Sequence, residues 1–141
     1  EEAELAKLLD AERREHYRQH RAALDRSWLA SEIYRQIVVR YGCVPKCISW
    51  PNRDGTHVFD AAPELWRAHI CVELIQRAQV GDEITATDAY AILHGASIQI
   101  LDPTQAIAAI TTYLTNLRQR GILAHPQGNT SRFVATGAGL S

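Results

Sequence analysis

Residues 102–123 read DPTQAIAAITTYLTNLRQRGIL, and the fold turns on how this stretch is read. Asp102 can accept from the first free N–H groups of a helix. Pro103 suits the first helical position, where no N–H is needed, and Gln105 stands where its side chain closes a capping box. Ile107, Ile110, Leu114 and Leu117 recur every three or four residues and predict one buried stripe. Arg118 and Arg120 lie in the last turn, where positive charge meets the negative end of the helix dipole. Gly121 supplies the left-handed residue that closes such a helix.

Downstream, Ile122 to His125 and Thr130 to Val134 flank the turn Pro126-Gln127-Gly128-Asn129, a β-hairpin directly behind the helix. Upstream, Asp60 is placed to cap a helix with Pro63 in its first turn, with Leu65, Trp66, Ile70 and Leu74 among its apolar members, up to about Gln79. Gly81 closes that helix, and Ile84 reads as a single short strand residue. Thr85 then opens a second helix, with Asp88 in the capping-box position and Tyr90, Ile92 and Leu93 as its apolar side. Gly95 stops it.

A leucine-rich helix ending Leu114-Thr-Asn-Leu-Arg-Gln-Arg-Gly-Ile-Leu, then Gly128-Asn-Thr-Ser-Arg-Phe-Val, resembles the winged helix-turn-helix superfamily over residues 60–136. The connection from Gly95 to Asp102 departs from that pattern, being longer than the usual tight turn between the second and third helices. The resemblance implies a domain used most often to bind DNA, with its third helix in the major groove. Opposite the apolar stripe lie Gln105, Ala108, Thr112, Thr115, Asn116 and Gln119. Their carboxamides can pair with adenine, and threonine can touch a thymine methyl or a phosphate. Thr104 can offer its hydroxyl and backbone N–H to a phosphate. Arg118 and Arg120 supply positive charge. At the hairpin tip Gln127, Asn129, Thr130, Ser131 and Arg132 are polar, and Arg132 suits insertion into a minor groove.

The rest of the chain frames this domain. Residues 1–41 are rich in Ala, Leu, Glu, Arg and Gln, lack Gly and Pro, and predict a helical arm, either one helix or two split at Ser27 or Ser31. In residues 42–59, Cys47–Trp50 and Thr56–Phe59 flank the turn formers Pro51 to Gly55 and predict a β-hairpin connector. Residues 137–141 read as a tail. The class expected is α+β, mostly α: an N-terminal helical arm, a small β-hairpin and a winged helix-turn-helix domain.

Charge argues against a strongly basic DNA-binding surface. The net charge is −1, with 15 Lys and Arg against 16 Asp and Glu, and no lysine follows Lys46. Any positive patch must therefore arise by arrangement in space. Three cysteines, an odd number, speak for a reducing compartment and against a disulfide scaffold. No apolar run approaches the roughly 18 to 20 residues that span a bilayer. Cys43 and Cys47 suit half of a zinc site, but His69 and Cys71 would point to different faces of a helix and cannot complete it. His16 and His20 share a helix face without a third ligand. No nucleophile motif, phosphate-binding loop or perturbed carboxylate cluster is present, so no catalytic residue, cofactor or metal is expected.

The expectation is a cytoplasmic, DNA-binding winged-helix module of a larger DNA-processing or regulatory protein, bacterial in the style of its sequence, with duplex DNA as partner. The competing expectation is a winged helix that binds protein, with residues 1–41 joining a second copy or a neighbouring domain.

Overall fold

The computed structural model describes residues 2–51 and 57–140. The first helix, α1 (Glu2–Leu29), runs 28 residues, about 42 Å at the usual rise per residue. Residues 2–20 are exposed on every side, and only the last third meets the body of the protein, where Trp28 is buried. The chain bends at Ser31. Its hydroxyl donates to the Trp28 carbonyl at 2.7 Å and accepts from the Tyr34 N–H at 3.2 Å, capping α2 (Glu32–Tyr41). The arm is thus two helices, because Ser31 satisfies the last turn of one and the first turn of the next. Ile33 and Ile37 bury one side of α2, and Gly42 closes it with φ 77°.

The connector differs from the expected hairpin. Lys46–Ser49 forms a short helical turn, α3, whose Ile48 and Ser49 N–H groups donate to the Pro45 carbonyl at 3.0 and 3.1 Å. Cys47 and Ile48 are adjacent and both fully buried. A strand would send neighbours to opposite faces, whereas a helical turn turns both inward. The loop expected at Pro51 to Gly55 lies almost wholly outside the described residues, as does Thr56. His57 and Val58 lie in a turn, and Phe59 bridges Ile100 rather than residues 47–50. The Asp60 N–H donates to the Gln99 carbonyl at 2.9 Å, and the Leu101 N–H to that of Val58 at 2.7 Å. The long connection after Gly95 therefore has a structural use: it brings Gln99 to Leu101 to an isolated antiparallel bridge with residues 58–60.

Pro63–Ile70 forms α4, preceded by Ala62 and not by a capping side chain. Asp60 is drawn elsewhere, its Oδ1 lying 2.7 Å from His20 Nε2 on α1. The helix continues as a π-helical turn, Cys71–Ile75, closed by the Gln76 N–H on the Cys71 carbonyl at 2.9 Å. Then come β1 (Glu83–Ile84) and α5 (Ala86–Gly95), the latter capped by Thr85 Oγ1, which accepts from the Asp88 N–H at 3.0 Å. Asp102 caps α6 (Pro103–Gln119) through the Gln105 N–H at 3.3 Å. After Gly121, with φ 81°, two short strands follow, β2 (Leu123–Ala124) and β3 (Phe133–Ala135). The sheet is antiparallel in the order β1-β3-β2, with Ile84 opposite Phe133 and Leu123 opposite Ala135. The strands are shorter than expected, because β2 stops at Ala124 and β3 starts only at Phe133, while residues 126–128 of the expected turn form a 3-10 turn.

A single core joins these parts. It takes Trp28, Ile33 and Ile37 from the arm, Trp66 and Ile70 from α4, Leu93 from α5 and Phe133 from the sheet. The tail contributes too, since Leu140 is buried. Gly137, with φ 79°, lies so near Val80 that a Cβ there would come within 2.6 Å of its Cγ2. The α6 stripe is Ala106, Ile110, Tyr113, Leu114 and Leu117, and Ile107, expected within it, is 41% exposed on its flank. Tyr113 takes a place in the core that the apolar pattern assigned to aliphatics alone. Truncating Leu114 to alanine should lower unfolding free energy by about 3 kcal/mol, whereas Ile107→Ala should cost less than about 1 kcal/mol, both read by chemical denaturation.

Candidate nucleic-acid interface

Helical geometry brings Gln105, Thr112, Thr115, Asn116 and Gln119 onto the side of α6 opposite its buried stripe. Gln105, Thr112 and Gln119 are exposed, and Thr115 and Asn116 are half-buried. The threonine hydroxyls are committed inward. Thr111, Thr112 and Thr115 donate to the carbonyls of Ile107, Ala108 and Thr111 at 2.8, 3.0 and 3.0 Å. Their oxygens remain able to accept, and the exposed carboxamides of Gln105 and Gln119 stay available both to donate and to accept. The start of the helix is less suited to phosphate than its sequence implies. Thr104 Oγ1 donates to Asp102 Oδ1 at 2.7 Å, so a carboxylate already occupies the positive end of the dipole.

Near the other end, Arg120 Nε donates to Asn116 Oδ1 at 2.9 Å, and its guanidinium lies 5.9 Å from the Trp50 ring centre. Arg118 is half-buried, and its Nε has no hydrogen-bond partner among the described residues. The hairpin residues form a separate group. Asn129 Oδ1 accepts from the Ser131 N–H and hydroxyl at 3.1 and 2.6 Å, a turn held by its own side chain. Arg132 reaches across to β1, where its Nη2 lies 2.7 Å from Glu83 Oε2. Glu83 holds the Arg132 guanidinium proton more tightly than usual and neutralises the cation expected to lead the hairpin tip. Among the described residues, no hydrogen bond or ion pair ties the hairpin group to the outward side of α6.

Beneath this surface lies an arrangement that sequence reasoning missed. Arg67 is 1% exposed, and its Nη1 donates to the carbonyls of Ile48 and Trp50 at 3.1 and 2.8 Å. The rings of Trp50, Trp66 and Tyr113 stand 5.5, 5.7 and 5.7 Å from its guanidinium carbon. Tyr113 donates to the Cys47 carbonyl at 2.9 Å, and its oxygen lies 3.2 Å from Cys71 Sγ. A hydrogen bond with the Cys47 thiol, together with burial, pushes the Cys71 thiol well above the ordinary cysteine range. Burial likewise raises Tyr113. The only local hint was one arginine between Trp66 and Ala68 on a helix whose neighbours turn inward. Among the described residues, no group of three or more His, Cys, Asp or Glu side chains could hold a metal ion. His69 Nδ1 instead meets Glu73 Oε2 at 3.0 Å.

The described residues define a mostly helical α+β domain with a small three-stranded antiparallel sheet, no described helix of which is long and apolar enough to cross a membrane. The particular family follows from comparison. The chain belongs to the family of the C-terminal domain of competence protein CoiA, whose sequence model matches residues 10–136. No curated protein and no solved structure gives a significant match.

Two outcomes follow from the buried centre. Of the three cysteines, Cys43 alone should react rapidly with an aromatic disulfide reagent in the native protein, with Cys47 and Cys71 reacting only in denaturant. Arg67→Ala should lower unfolding free energy by about 3 kcal/mol, since it strands two carbonyls and opens a void among three rings.

Proposed function

We propose that residues 60–136 form a winged helix-turn-helix domain, and that it contacts duplex DNA through the outward side of α6. The observation that carries this reading is that side itself: an uncharged strip of carboxamides and threonines on the helix that directly precedes the sheet hairpin. The sequence of elements supports the fold assignment. A helix, β1, two further helices and the β2–β3 hairpin follow one another, and β3 lies between β1 and β2. The family's name supports the ligand, because competence is the uptake of DNA. Arg118 and Arg120 supply the phosphate contacts on this reading, and Gln105, Asn116 and Gln119 meet base edges. The module carries no chemistry of its own and serves a larger bacterial protein in the cytoplasm, where the free thiols stay reduced.

A second reading has one specific observation behind it. Glu83 neutralises Arg132, which leaves little uncompensated charge for phosphate. A winged helix so balanced suits a protein partner.

Fluorescence anisotropy with a mixed-sequence duplex separates the two readings. DNA contact predicts binding that weakens steeply as salt rises from about 50 to 200 mM. Arg118→Ala and Arg120→Ala should each weaken it about three- to tenfold and lower the salt slope by about one. Glu83→Gln releases Arg132 and should tighten binding at low salt by about threefold. Absence of binding at the lowest salt would discard the DNA reading in favour of a protein partner.

A further inference from the structure

The outward side of α6 is selective in what it offers. Gln105, Ala108 and Thr112 are all exposed. At about 100° per residue they stand within about 60° of one another, opposite Ile110, Leu114 and Leu117. They cover about 10 Å of helix rise, the height of about three base pairs. This is the N-terminal half of the helix, the half that meets base edges when such a helix enters a major groove.

The hydrogen bonds of the helix fix what each group can present. The Gln105 carboxamide keeps a donor beside an acceptor, the pattern that pairs with N7 and the N6 amino group of adenine. The Thr112 hydroxyl donates to the Ala108 carbonyl at 3.0 Å, so its one proton is spent inside the helix and its γ-methyl is the free end. Thr111 and Thr115 are turned back in the same way, at 2.8 and 3.0 Å. Ala108 sets another methyl between Gln105 and Thr112. In the major groove only thymine answers a methyl with a methyl of its own.

The partners of a G·C pair are missing from the same strip. Guanine shows two adjacent acceptors, which arginine or lysine matches, and the cytosine amino group asks for a carboxylate. Arg118 is the one charged side chain of α6, and it lies on the flank, about 20 Å further along the axis than Gln105. Asp102, at the start of the helix, is turned to capping, its Oδ1 accepting from the Thr104 hydroxyl at 2.7 Å and the Gln105 N–H at 3.3 Å.

From this we infer that α6 reads A·T base pairs in the major groove, with Gln105 on an adenine edge and Ala108 and the Thr112 methyl on thymine methyls, and that it discriminates against G·C. The inference rests on the proposed contact of α6 with duplex DNA and adds the class of sequence recognised.

Fluorescence anisotropy on the 141-residue chain, at one low salt concentration, tests it with duplexes of equal length. One holds A·T pairs in mixed order, one G·C pairs and one inosine·cytosine pairs. Inosine lacks the guanine N2 amino group, so its pair with cytosine shows the major groove of G·C and the minor groove of A·T. The A·T duplex should bind at least about tenfold more tightly than either of the others. Uracil in place of thymine removes only the methyl and should weaken binding about threefold. Thr112→Ser, which deletes the methyl and keeps the hydroxyl, should shrink that uracil effect. Gln105→Ala should cut the A·T preference at least about fivefold without moving the thermal midpoint. Equal binding to A·T and G·C would overturn the inference and leave the DNA reading standing. Inosine·cytosine bound as tightly as A·T would put the preference in the minor groove and overturn it as well. Absence of binding to every duplex would overturn both.

Discussion

A buried guanidinium sets the terms on which this domain holds together. Removing a positive charge from water is costly unless every direction around it is satisfied. Arg67 is held by the carbonyls of Ile48 and Trp50, both on its Nη1, and by three aromatic rings. Each partner comes from a different part of the chain: the carbonyls from α3 and the residue after it, Trp66 from α4 and Tyr113 from α6. The requirement dictates local structure as well. Residues 46–49 must turn helically, because an extended strand would not direct the carbonyls of Ile48 and Trp50 to one donor while burying Cys47 and Ile48. Tyr113 passes the constraint on, donating to the Cys47 carbonyl and contacting Cys71. Helix α6 is thus registered against the connector from beneath, and its outward side is held by a rigid base.

The exposed charges show the opposite economy. Arg120 is engaged by Asn116 and stands near Trp50, and Arg132 is engaged by Glu83. A chain with nearly equal acidic and basic content has paired locally what a strongly basic domain would leave free. Recognition through α6 would then depend on the arrangement of neutral polar groups, and electrostatic attraction would come mainly from Arg118. Such a surface discriminates by shape and hydrogen bonding more than by long-range steering.

What was legible in the sequence was mainly what is local. Ser31, Thr85 and Asp102 cap helices because a hydroxyl or carboxylate reaches an N–H only two or three residues away. Gly121 adopts the left-handed conformation expected of it. The antiparallel β2–β3 pair also followed from neighbouring signals. What was illegible depends on distant partners. Asp60 looks like a cap but meets His20, forty positions away. The 47–50 segment has the composition of a strand but answers to Arg67. Ile107 fits the apolar spacing, yet Tyr113 occupies the place that makes it unnecessary. In the surface read as a nucleic-acid site, the helical side was legible from periodicity, whereas the neutralisation of Arg132 was not, because Glu83 lies 49 residues earlier.

The π-helical turn at Cys71–Ile75 decides how the end of α4 meets the core. Trp66, Ile70 and Ile75 are all buried, at spacings of four and then five. A regular helix would carry Ile75 about half a turn away from Trp66, and the widened turn brings it back. The helix ends on this turn, so the widening decides which side chain closes its inward side. Removing one residue from this turn would return the inward side chain to nearly the same side of a regular helix. One residue more or less there is absorbed by the width of a single turn, and the side that packs stays the same.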